Sequence, residues 1–213
     1  METKLEATNM EKLNRNKLGF TGCFPVNSVG KSGGLCLLWN SNVQVDLISF
    51  SSHHITSNIE LDQNQQPWVF SGIYGWPDNS QKWKTCQLMR DINPGIGKPW
   101  LCAGDFNEIM WSVEKIRGRF RFDNNMEEFR NTINNCGLTD LGFSGPRFTW
   151  TNMQHGDNNI QERLDRALAN DVWISQFPYY RVTHLLRVKS DHNPLTIEFD
   201  HHPLGPTKPM VDE

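Results

Sequence analysis

The sequence predicts an α+β fold in which packed sheets are covered by helices. Short β-rich runs fall into two groups, 33–75 and 147–199, and helix-forming stretches with amphipathic spacing lie between them. The chain has 213 residues with eight Trp and twelve Phe, enough apolar bulk for one two-layer or four-layer domain.

In chain order, residues 5–18 form a thin amphipathic helix anchored by Leu5, Leu13 and Leu18 and stopped by Gly19. The runs "GGLCLLW", "VQVDLISF", "HITSNIEL" and "WVFSGIYG" follow, separated by Ser, Asn, Gln and Pro as in antiparallel strands, with Val43, Val45 and Leu47 alternating cleanly. Pro77–Ser80 open a helix through "QKWKTCQLMRDI", which Pro94 and Gly95 close. A strand at 100–107 runs through Leu101, Cys102 and Ala103 and ends in "GDFN". A helix over Asn124–Cys136 places Met126, Phe129, Ile133 and Cys136 at spacings of three and four, with Gly137 as its cap. Strands resume at "RFTWTN", "IQERLDRALA", "YRVTHLLRV" and "PLTIEF". No repeat and no linker appears before the Pro-rich end, so one domain is expected over 1–200, with a disordered tail at 201–213.

A net charge of −3 gives no global positive field, so any polyanion must be held by local charge. Five cysteines, odd in number and without a C-x-x-C pair, argue against a disulfide framework or zinc knuckle. The polar N-terminus lacks the apolar core of a signal peptide, and no apolar run could span a bilayer. These features lead to the expectation of an intracellular monomer with no membrane partner.

Four polar clusters interrupt the strand-like segments: "IYGWP" at 73–77, "GDFN" at 104–107, "RLDR" at 163–166 and "SDHNP" at 190–194. Each has an ordinary explanation. Tyr74 suits a half-buried sheet, Asp165 could pair with Arg163 or Arg166, and Asp, Asn and Pro dictate turns. Asp105 and Asn107 alternate around Phe106, so an extended backbone would send both side chains to one face, and Gly104 would admit a close neighbour. Together the clusters supply hard oxygens for Mg²⁺ or proton transfer (Asp105, Asp165, Asp191), a histidine that titrates near neutrality (His192), and orienting groups (Asn107, Tyr74). That set suits phosphoester hydrolysis.

In this order, the four clusters resemble the endonuclease/exonuclease/phosphatase superfamily. "SVGKSGGLCLLW", "GFSGPRFTWTN" and "ERLDRALAN" look, more narrowly, like the endonuclease domain of plant LINE-type (non-LTR) retrotransposons. The resemblance implies a four-layer αββα, DNase I-like sandwich and a DNA-nicking, Mg²⁺- or Mn²⁺-dependent hydrolase that reaches DNA in the cell, the nucleus included. By motif, Glu2 of "METK" becomes a metal-binding carboxylate and Asp191 a second. Tyr74 contacts the phosphate region, Asp105 activates water, Asn107 orients it, and Asp165 orients His192. Lys115, Arg117, Arg119 and Arg121 recur at every second position of "EKIRGRFR", which in an extended loop aims four cations at a DNA backbone. Arg181, His184, Arg187 and Lys189 form a second basic patch.

Relatives begin with a strand ending in Asn-x-Arg-Gly, whereas this chain begins at the glutamate element. The expectation is therefore an N-terminally truncated endonuclease domain with little activity. The alternatives are a non-catalytic nucleic-acid-binding remnant and a phosphatase-like hydrolase of small phosphoesters.

Overall fold

The computed structural model describes residues 3–29, 32–61 and 66–200. Helix α1 (Ala7–Leu13) runs into a π-turn over Asn14–Leu18 that ends at Gly19, whose φ of +74° lets the chain reverse. A hairpin of β1 (Gly22–Val29) and β2 (Ser32–Trp39) follows, then β3 (Gln44–Ser51), β4 (His54–Glu60) and β5 (Trp68–Tyr74). Helix α2 (Trp83–Asp91) crosses over to β6 (Trp100–Asp105), which lies parallel to β5. Next come β7 (Lys115–Ile116), α3 (Asp123–Asn135), β8 (Leu138–Asp140), β9 (Trp150–Thr151) and β10 (Gln161–Glu162). The chain continues through β11 (Asp165–Asn170), α4 (Asp171–Gln176), β12 (Tyr179–His184) and β13 (Leu195–Asp200).

Six strands in the order β3-β4-β5-β6-β11-β8 form the central sheet. Its middle is covered on both faces, which is why β6 reads as a continuous apolar run. Trp100 and Cys102 join the cluster under α2 and α3 with Met89, Phe129 and Ile133. Leu101 and Ala103 face the opposite way, toward Trp68, Trp173, Phe177 and Val182. On that second face lie two separate hairpins, β1–β2 and β12–β13, and α1 packs on β1. Between the hairpins a cavity of about 400 Å³ is lined by Leu35, Leu37, Ile55, Phe70, Leu195 and Ile197.

The α+β layering matches expectation, with four local differences. β1 lies outside the expected strands because Pro25 breaks the donor pattern, yet a two-stranded ribbon tolerates it opposite Cys36. The run "IQERLDRALA" is two strands in two sheets, divided at Arg163 and Leu164. α4 has six residues, too few to show a helical period, and is fixed by the Asn170 side chain accepting from Trp173 N. The β5–β6 pair is parallel because α2 provides a crossover. The expected tail at 201–213 lies outside the described residues. Among the described residues no helix is long and apolar enough to cross a membrane.

Candidate active site

Three neighbouring strands end level with one another. Tyr74 of β5 stands opposite Asp105 of β6, and Asp105 stands opposite Asp165 of β11. Cross-strand partners share a face, so the sheet itself places two carboxylates side by side. Both are buried, at 5% and 2% exposure. Burial, and then the charge of Asp165, push Asp105 up to about 7, although His192 and the Asn107 amide act the other way.

The close approach expected at Gly104 is to β5. Its φ is +139°, and a Cβ there would lie 2.2 Å from the Ile73 carbonyl oxygen. Asn107, however, does not follow the extended alternation expected of it. The strand stops at Asp105, and Asn107 adopts φ +55°, turning its side chain back. Its backbone N–H donates to Asp105 Oδ1 at 2.8 Å, and its Nδ2 donates to Asp105 Oδ2 at 3.1 Å and to the Gly75 carbonyl at 2.9 Å. A short polar side chain tolerates the left-handed conformation and bonds locally, so the acid and amide converge through a turn. Lys82, absent from the sequence-based set, is buried, donates from Nζ to the Asn107 carbonyl and lies 3.6 Å from Glu108. Burial draws it down to about 8, and Glu108 limits the fall. Nothing in a helix-forming stretch distinguished this lysine.

His192 connects the carboxylates. Nδ1 is 2.8 Å from Asp165 Oδ2, and Nε2 is 3.8 Å from Asp105 Oδ2. Burial works against charge on the ring, but the Asp165 hydrogen bond and the charges of Asp165, Asp105 and Asp191 outweigh it and raise His192 to about 9. The segment "RFTWTN" clamps this corner. Buried Thr149 Oγ1 accepts from the N–H groups of Leu164 and Asp165, both at 2.9 Å. Trp150 Nε1 donates to Asp191 Oδ2 at 3.1 Å. Thr149 and Trp150 were missed as site residues, although both stand in "GFSGPRFTWTN", one of the stretches that carry the family resemblance. His192 N donates to Ser190 Oγ at 3.0 Å, which fixes the turn.

Asp165 does not pair with its neighbouring arginines. Arg163 and Arg166 instead bond Glu114 and Asp140, with Arg166 wholly buried. Tyr74 is buried beside His53, whose Nδ1 is 2.7 Å from the Tyr74 carbonyl. Glu2 lies outside the described residues. The four cations of "EKIRGRFR" do not share one direction, because Lys115 begins a strand and Arg117 has φ +63°. Lys115 and Arg121 both pair with Glu162, Arg117 pairs with Asp157 at 3.0 Å, and Arg119 is exposed with no ion pair among the described residues. In the second patch, Arg181 pairs with Glu198 and His184 is buried against the Pro146 carbonyl.

Among the described residues, no group of three or more His, Cys, Asp and Glu is arranged to enclose a metal ion. The donor chemistry still fits a hard cation. Asp191 is partly exposed beside the dyad and offers only oxygen, and Mg²⁺ is commonly held by one or two carboxylates completed by water and phosphate.

A buried acid locked by an amide, with an Asp–His pair alongside on the ends of layered strands, belongs here to a protein of DNase I-like fold. The chain belongs to the Endonuclease/Exonuclease/phosphatase family, whose model matches residues 1–192. The fold is similar to that of the endonuclease domain of TRAS1, a telomere-specific non-LTR retrotransposon, at 17% identity and TM-score 0.60, covering 92% of this chain and 93% of that one. AP endonuclease LMAP from Leishmania major gives TM-score 0.67 at 16% identity, with 94% and 77% covered. D. rerio TDP2 complexed with single strand DNA product gives 0.58 at 14%, with 92% and 83% covered. No curated protein matches the sequence.

Proposed function

We propose that this chain is the DNA-nicking endonuclease domain of a retrotransposon-derived protein of the plant LINE type, working with Mg²⁺ or Mn²⁺. The observation that carries the reading is the convergence of Asp105, Asp165 and His192 on one rim, with Nδ1 of His192 at 2.8 Å and Nε2 at 3.8 Å from the two acids. In this reading Asp105 takes a proton from the attacking water, and a value near 7 suits a base working at neutral pH. Asn107 aims Asp105, since both protons of its amide are already engaged by Asp105 and Gly75. His192 is an imidazolium at neutral pH and faces the phosphate, while Asp165 fixes its orientation and favours its charge. A bound divalent cation, held at Asp191 and Glu2, would neutralise phosphate charge. The TRAS1 and TDP2 likenesses support a DNA substrate.

Plasmid nicking with Mg²⁺, set against hydrolysis of p-nitrophenyl phosphate, tests the assignment. Nicking supports the endonuclease; release of nitrophenol without nicking supports the small-phosphoester alternative.

A further inference from the structure

Tyr74, His53 and Trp76 form a ladder of three near-parallel rings that leads outward from the catalytic strand end. His53 lies 3.5 Å from Trp76 and 5.7 Å from Tyr74, with 12° between the planes in each pair. The middle rung is fixed by its 2.7 Å bond to the Tyr74 carbonyl, and burial lowers its pKa, leaving it a neutral ring at physiological pH. Tyr74 is buried and Trp76 partly exposed, so the outer rung meets solvent.

The ladder is also tied to the chemistry. Gly75 N donates to the Asp105 carbonyl at 2.7 Å, the Gly75 carbonyl accepts from Asn107 Nδ2, and Trp76 N donates to Thr85 Oγ1 at 3.0 Å. Trp76 thus stands one residue from the catalytic loop. It belongs to none of the apolar core clusters, and no ring besides His53 packs on it among the described residues. Arg121 also reaches Asn79 at 3.4 Å, joining this loop to the segment that carries Phe120, which is 95% exposed.

We infer that Trp76, backed by His53, is a stacking platform for an unpaired base beside the scissile phosphate, so that the preferred substrate is nucleic acid with an unstacked nucleotide at that point. The inference rests on the nuclease reading above and narrows it. A base inside a duplex has both faces covered by neighbours, whereas a single strand, bulge or end offers a free π-face. The charge distribution points the same way. Two of the four cations in "EKIRGRFR" are held by buried Glu162, a third pairs with exposed Asp157, and the net charge is −3, so electrostatic capture of a long duplex is weak.

The test uses the full chain and fluorescent oligonucleotides of defined sequence: single-stranded, fully duplex, and single-stranded with one abasic nucleotide next to the cleavage point. The wild-type chain should prefer the single strand and lose about 5- to 150-fold in affinity on the abasic probe, the usual size of one base–aromatic stack. Trp76→Ala should bind intact and abasic strands alike, with its defect in KM rather than kcat, and Trp76→Phe should retain the discrimination. A Trp76→Ala chain that still separates intact from abasic strands overturns the platform. So does a wild-type chain that cleaves DNA but binds duplex more tightly than single strand, and that result leaves the nuclease reading standing. A wild-type chain that neither binds nor cleaves any of the probes overturns both.

Discussion

Asp165 holds His192 by a 2.8 Å bond to Nδ1 while standing in register with Asp105, so one carboxylate sets the orientation of the ring that faces the other. Asp165→Asn should therefore lower turnover about 10- to 100-fold, the usual cost of losing a group that orients a histidine. Metal affinity should stay nearly constant. Steady-state nicking combined with Mn²⁺ titration checks both; a large loss of metal affinity would make Asp165 a ligand and remove the orienting role.

Acid should loosen the fold through a different cluster. Burial alone would raise Glu114 and Asp140, but Arg166 and Arg163 hold both below their usual values. A carboxylate depressed in the folded state stabilises it above its unfolded pKa of about 4, and that contribution disappears as pH falls through the folded value. Thermal unfolding from pH 6 to pH 2.5 should show a falling midpoint below about pH 4. Arg166→Met should cost about 3–5 kcal/mol at neutral pH by leaving buried charge unpaired, and should flatten the acid limb. An unchanged acid limb in that variant would assign the acid sensitivity elsewhere.

The basic segment should separate into two behaviours. Arg119→Ala should flatten the slope of log K against log salt by about 0.9 if it removes one phosphate contact. Lys115→Ala should leave that slope alone and lower the melting point, because its partner is buried Glu162. Salt-titrated binding and thermal melts on the two variants distinguish the roles, and a shift of the slope by Lys115→Ala would restore it as a DNA contact.

These assignments show what the sequence could disclose. Strand ends and turn residues are local signals, so "GDFN", "RLDR" and "SDHNP" stand out in the sequence and converge on one rim in the fold, and the alternation of Trp100 to Ala103 across two faces explains the apolar run that leads there. Partner choice was not legible. Lys115 and Arg121 pair with Glu162, which is 47 and 41 residues away in the chain. Lys82 and Thr149 act through backbone groups that any sequence possesses. Asn107 was singled out for its chemistry but expected to be extended, since a left-handed turn leaves only a weak trace in an Asn.

The roles proposed for Asp105 and His192 in phosphodiester cleavage are tested by Mg²⁺-dependent plasmid nicking by the chain and its Asp105→Ala and His192→Ala variants. Supercoiled DNA should convert to the open-circular form, the conversion should stop with EDTA, and its rate should fall about 10²- to 10⁴-fold in either variant. Nicking at an undiminished rate by either purified variant would remove that residue from the reaction.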